Sequence, residues 1–96
     1  MIQVFAKIQV NNFAALEKFE HDAAKIMLKH QGRFVTAFET LRNNSDSGEE
    51  IHILEFPSIE HFSQFRQDER HLTLKELRAE AISATEIKIS TQLKFY

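Results

Sequence analysis

The sequence has no cysteine, no tryptophan, one proline and two glycines. Without cysteine there is neither a disulfide nor a thiolate nucleophile, and the composition fits a reducing compartment. Two glycines are too few for a phosphate-cradling loop, and no G-x-S-x-G elbow is present. Gly32 reads as a helix stop and Gly48 as a hairpin turn. No apolar run approaches the ~20 residues that cross a bilayer. The opening Met1-Ile2-Gln3-Val4, soon followed by Lys7, lacks the basic-then-apolar pattern of an export signal. A cytoplasmic protein with no membrane partner is expected. Charge of one sign is lacking too: 12 Lys and Arg against 14 Asp and Glu leave a net −2. That balance gives no electrostatic footprint for nucleic acid, so none is expected as a partner.

What is present is a chain of 96 residues, 43% hydrophobic, enough for one domain with its own core. Ile2, Val4, Ala6, Ile8 and Val10 alternate with Gln3, Phe5, Lys7 and Gln9, the period of a strand with one buried face. Capping oxygens at Asn11 and Asn12 precede Phe13, Leu16, Phe19, Ala23, Ile26, Met27 and His30 at helical spacing, which predicts a helix over about 12–31. Glu17, Lys18, His21, Asp22, Lys25 and Lys29 form its wet side. Strands over about 33–42 and 50–56 flank the polar run Asn43 to Gly48, the pattern of a hairpin. Pro57 ends the second strand, and Ser58 is placed to cap a helix carrying Ile59, Phe62 and Phe65. After a break near Asp68, further helical turns carry Leu72, Leu74, Leu77 and Ala81. Alternation then resumes from Ile82 to Phe95, predicting a long last strand with Thr85, Ile87, Ile89, Thr91, Leu93 and Phe95 on one side.

Strand, helix, strand, strand, helix, strand is the order of an α+β, ferredoxin-like βαββαβ unit. Right-handed crossovers put both helices on one face of the antiparallel sheet. The other face is left bare, yet Phe34 and Phe38 oppose Val35 and Ala37, and Leu54 and Phe56 oppose Ile51 and Ile53. Strands apolar on both sides imply a covering partner, and a second copy of the same chain is the simplest one. A homodimer is expected.

Leu54-Glu55-Phe56-Pro57-Ser58, then Phe62, Phe65-Arg66 and Asp68, then Leu77-Arg78, Ala81-Ile82 and Thr85-Glu86-Ile87, resemble the DUF1330-like branch of the dimeric α/β-barrel superfamily. The resemblance lies in the C-terminal half; the N-terminal half matches through pattern and element order. It implies a ferredoxin-like fold and a dimeric α/β barrel, and no common reaction. Other branches include cofactor-independent oxygenases, isomerases, haem-handling enzymes and regulatory ligand-binding domains, so fold analogy does not choose among them. The haem-degrading branch is expected to carry a Trp, and this chain has none.

The five histidines, His21, His30, His52, His61 and His71, are at least nine residues apart, without the tight spacing of a metal site. Glu17 and His21, four apart, lie on the charged stripe of the first helix and read as a solvated pair. No metal and no cofactor is expected. His52 alternates with Leu54 and Phe56 on an inner strand; if that face lines the barrel interior, its imidazole could act as a general base, and otherwise it is a hydrogen-bonded core histidine. Glu55 points the other way and needs solvent or a cation, with Arg66 and Arg78 as candidates. Glu86 and Lys88 share a face of the last strand with Ser90, which could line a cavity or be wet. Tyr96 is terminal. His52 is therefore the catalytic candidate, and Leu54, Phe56, Arg66, Arg78 and Glu86 are the ligand-binding candidates. The expected function is small-molecule handling in a barrel or sheet–helix cavity, by a cofactor-independent oxygenase- or isomerase-like enzyme. A non-catalytic ligand-sensing or interaction dimer, or a haem-handling enzyme, are the alternatives.

Overall fold

The computed structural model describes residues 1–96. Its elements are β1 (Ile2–Val10), α1 (Phe13–Lys29), β2 (Arg33–Arg42), β3 (Gly48–Phe56), α2 (Ile59–Gln67), α3 (Glu69–Leu72), α4 (Lys75–Ala81) and β4 (Ile82–Ile89). The sheet is antiparallel in the order β2-β3-β1-β4, with β1 paired to both β3 and β4. This is the ferredoxin-like arrangement. No helix is long and apolar enough to cross a membrane.

Val4, Ala6, Ile8 and Val10 of β1 are buried between sheet and helices, where Leu16, Phe19, Ala23, Ile26 and Met27 of α1 meet them. The register carries that face across the sheet. Val4 lies beside Leu54 and Ile89, Ala6 beside His52 and Ile87, and Ile8 beside Glu50 and Thr85. Phe5, Lys7, Ile51, Ile53, Glu86 and Lys88 fall on the open face.

Asn12 caps α1 by accepting from the Ala15 N–H at 2.9 Å. The stop is different from the expectation. Gln31, not glycine, adopts the left-handed conformation at φ 60°. Its N–H donates to Leu28 O, and the Gly32 N–H donates to Met27 O at 3.0 Å, a Schellman closure. Gly32 is required for space instead: a Cβ there would sit 2.2 Å from the Phe56 ring. Gly48 likewise opens β3 rather than forming the turn, against the Leu41 carbonyl, 2.0 Å from where a Cβ would be.

Two further expectations are corrected. A bulge between Phe34 and Thr36 reverses the alternation of β2, so Phe34 and Ala37 face the helices beside Leu54 and His52 while Phe38 faces out beside Ile51. The last strand ends at Ile89, seven residues short of the C-terminus. Ser90 still exchanges bonds with Gln3, but β1 begins at Ile2 and offers no ladder beyond it, so Leu93 and Phe95 lie exposed.

Candidate functional site

A carboxylate stands in the apolar stripe of α1. Glu20 is four residues after Leu16 and three before Ala23, so helical geometry turns it toward the sheet with them. On the facing strand, alternation puts His52 between Glu50 and Leu54, and the residue is 3% exposed. His52 Nε2 donates to Glu50 Oε1 at 2.8 Å, which leaves Nδ1 as the acceptor nitrogen. Nδ1 lies 3.9 Å from Glu20 Oε1, beyond hydrogen-bond distance. The Phe34 ring stands edge-on to the imidazole with centroids 5.5 Å apart.

Burial pushes the Glu20 carboxyl up from 4.5 to about 7; His52 and Arg78 oppose the shift and Glu50 adds to it. Near neutral pH the protonated and ionised forms of Glu20 therefore coexist. A carboxyl that can give or take a proton faces an imidazole nitrogen that can accept one.

Both side chains line a cavity of about 300 Å³ between the sheet and the helices. Its walls are apolar: Val4, Ala6, Ile8, Phe19, Ala23, Met27, Leu54, Phe62, Phe65 and Ile87. Its remaining polar groups, Arg66, His71, Lys75, Arg78 and Thr85, come from α2, α3, α4 and β4. Arg78 donates from Nη2 to Thr85 Oγ1 at 3.2 Å. His71 packs edge-on against Phe65, centroids 4.6 Å apart, and against Phe19 at 6.0 Å. Burial lowers its pKa first, then Arg78 and Arg66, which favours the neutral ring. No group of three or more His, Cys, Asp or Glu side chains is placed to hold a metal.

Of the residues singled out by sequence, the fold brings His52, Leu54, Arg66 and Arg78 to this cavity. His52 faces the helices rather than the interior between two facing sheets. Phe56 is fully buried and packs on Phe62 and Phe65 at 5.2 and 5.6 Å, in the core beneath the cavity rather than in its wall. Glu86 is on the opposite face, across from Lys7 and 3.8 Å from Lys88. Glu55 takes neither Arg66 nor Arg78: Arg33, its neighbour across the β2–β3 ladder, binds it at 2.9 Å on the open face. Glu17 and His21 are both exposed, as expected of a wet stripe.

Sequence reading missed Glu20 and His71. The signal for Glu20 was available as a carboxylate spaced in phase with Leu16, Ala23 and Met27. For His71 there was none, because the break at Asp68 resets the helical phase.

No functionally curated protein matches the chain. Among solved structures, it is similar to Atu4242 from Agrobacterium tumefaciens, with 24% identity, a TM-score of 0.73, and coverage of 99% of this chain and 96% of that one. RPA0582 from Rhodopseudomonas palustris, a protein of unknown function, is similar at 16% identity and a TM-score of 0.78, over 97% of this chain and 82% of that one. SnoaB from Streptomyces nogalater, a cofactor-independent oxygenase, is similar at 14% identity and a TM-score of 0.69, over 98% and 94%. At these identities the likeness establishes the fold alone. Residues 3–91 match the profile of a family described as a domain of unknown function, DUF1330. Nearly the whole chain is spanned by that match, and the protein belongs to the DUF1330 family.

Proposed function

We propose that the protein binds a small, largely apolar organic molecule in the sheet–helix cavity and moves a proton on it without a cofactor, with His52 as base. The observation that carries this reading is the meeting of Glu20 and His52, the imidazole bonded to Glu50, at the wall of a largely apolar cavity. Glu50 orients the imidazole, and Nδ1 takes a proton from an acidic C–H or O–H of the ligand, leaving the electron pair on the ligand as an enolate or phenolate. Glu20, titrating near neutrality, relays that proton or returns it to a neighbouring atom. Return gives isomerisation. The fold shared with SnoaB supports a second outcome, in which the carbanion gives its electrons to dioxygen.

Solvent deuterium exchange at the acidic C–H of a panel of aromatic ketones tests the proposal. Exchange is expected with the parent protein and should fall about a hundred- to ten-thousand-fold in His52→Gln. Binding without exchange in the parent would instead identify a ligand-sensing module.

The same reading includes a homodimer. Phe5, Ile51 and Ile53 are only half-buried on the open face and Phe38 is 49% exposed beside them. A second copy set face to face would cover this patch, with about 1,200 Å² or more of total burial. Light scattering should give twice the chain mass of 11.2 kDa at micromolar concentration; the monomer mass would refute the pairing.

A further inference from the structure

We infer that the ligand of the sheet–helix cavity is an organic anion, an apolar body bearing one carboxylate-like group, held with that group at the cavity rim by Arg66, Lys75 and Arg78. The inference rests on the reading of the cavity as a ligand site and adds the ligand's charge and orientation.

The cavity rim holds cations that the chain leaves without an ion-pair partner. All three side chains line the cavity, and all three are exposed residues at its outer edge. None of the protein's ion pairs includes these three cations. Arg66 instead lies over the Phe62 ring, 5.5 Å from its centroid, and Arg78 is steadied by Thr85. Lys75 and Arg78 are one turn apart on α4, so they reach the same edge. Elsewhere the protein pairs its arginines: Arg33 with Glu55, Arg42 with Glu39, Arg70 with Asp68. Among the arginines the contrast is confined to the cavity mouth. The positive field there is felt by its neighbours, since Arg78 and Arg66 both depress His71 and Arg78 lowers Glu20 against its burial.

The buried side of the cavity has the opposite demand. Glu20 and His52 stand there 3.9 Å apart, and a second carboxylate beside Glu20 would meet its charge. A ligand with its anion outward and an oxygen or acidic carbon inward satisfies both ends.

Naphthoate and its neutral counterpart naphthamide test the inference, with binding followed by calorimetry and located by amide chemical shifts. Naphthoate should bind at least about fivefold more tightly at low salt, the sum of a few exposed charge contacts. That preference should shrink in high salt and disappear in the Arg66→Gln, Lys75→Gln double variant, whose substitutions are both at exposed positions. Equal affinity of the two probes at the cavity would overturn the anion assignment and leave the cavity a ligand site. Shifts confined to residues outside the cavity, or no binding of either probe, would overturn both readings. A preference for naphthoate that persists in the double variant would place the recognition elsewhere.

Discussion

Glu20 of α1 and His52 of β3 face each other across the helix–sheet interface with Oε1 and Nδ1 3.9 Å apart, where a carboxyl and an imidazole interrupt the apolar layer between helix and sheet. The separation is too long for a direct hydrogen bond and short enough for one atom of a ligand to contact both. Burial without a full partner is also what lifts the Glu20 carboxyl to about 7.

A stability prediction follows from that shift. Unfolding returns Glu20 to its ordinary 4.5, so between pH 4.5 and about 7 the unfolded chain has lost the proton that the folded one keeps. The folded state binds more protons, and Glu20 therefore makes stability fall as pH rises through this window, by about 1–3 kcal/mol in total. Below pH 4.5 both states are protonated and the cost vanishes. Glu20→Gln removes the titration, so the variant should gain on the parent steadily from pH 4.5 to 8. Urea midpoints measured across that range check this; a variant that loses ground as pH rises would show that the ionised carboxylate is stabilised in the fold.

The end of α1 makes a paired prediction. Gln31 bears a left-handed backbone that glycine adopts without the steric cost of a Cβ, so Gln31→Gly should stabilise by about 0.5–1 kcal/mol. Gly32→Ala should do the reverse by about 1–3 kcal/mol, because its Cβ would meet the Phe56 ring and Met27. Thermal unfolding of the two variants distinguishes them. If Gly32→Ala is neutral, Phe56 has room to move and the core is looser there than its full burial indicates.

Ile26 tests the helix–sheet layer away from the cavity. It is 9% exposed, on the α1 face that packs in the core, and it does not line the cavity. Ile26→Ala should cost about 2–5 kcal/mol through lost burial and the void left behind. An unchanged denaturation midpoint would put this face of α1 in solvent.

Much of this was readable from residue spacing, because elements with one strongly buried face announce their period. Val4 to Val10 and Leu16 to Met27 did so, and Ser58 and Asn12 marked helix starts through their side-chain oxygens. β2 was readable as a strand but not by face. Its bulge adds a residue that alternation cannot register, which is why Phe34 and Phe38 part company. The excess length read into β4 has a similar origin: Thr91, Leu93 and Phe95 keep the period, but a strand needs a neighbour and β1 has ended. The site was half visible. His52 stood out by its strand position, whereas the cavity around it depends on how α2, α3 and α4 wrap over the sheet, a tertiary arrangement that local spacing does not encode.

Because β3 shows its two faces to two different surroundings, oligomerisation and ligand binding should separate by mutation. Phe38 and Ile51 are cross-strand neighbours on the open face, while Leu54 and His52 of the same β3 strand face the cavity. Phe38 is 49% exposed and makes no part of the cavity wall, so a charge there has solvent available in a monomer but would be desolvated against a second sheet. Phe38→Glu should therefore shift the proposed dimer to monomer at micromolar concentration, a loss of roughly tenfold or more in dimer affinity, with far-ultraviolet circular dichroism unchanged. Naphthoate binding should survive in the monomer, since Glu20, His52 and the rim cations all come from one chain. Sedimentation measures the first effect and calorimetry the second. A dimer of unchanged affinity would move the interface off this face, and joint loss of dimer and binding would show that the cavity depends on the pairing.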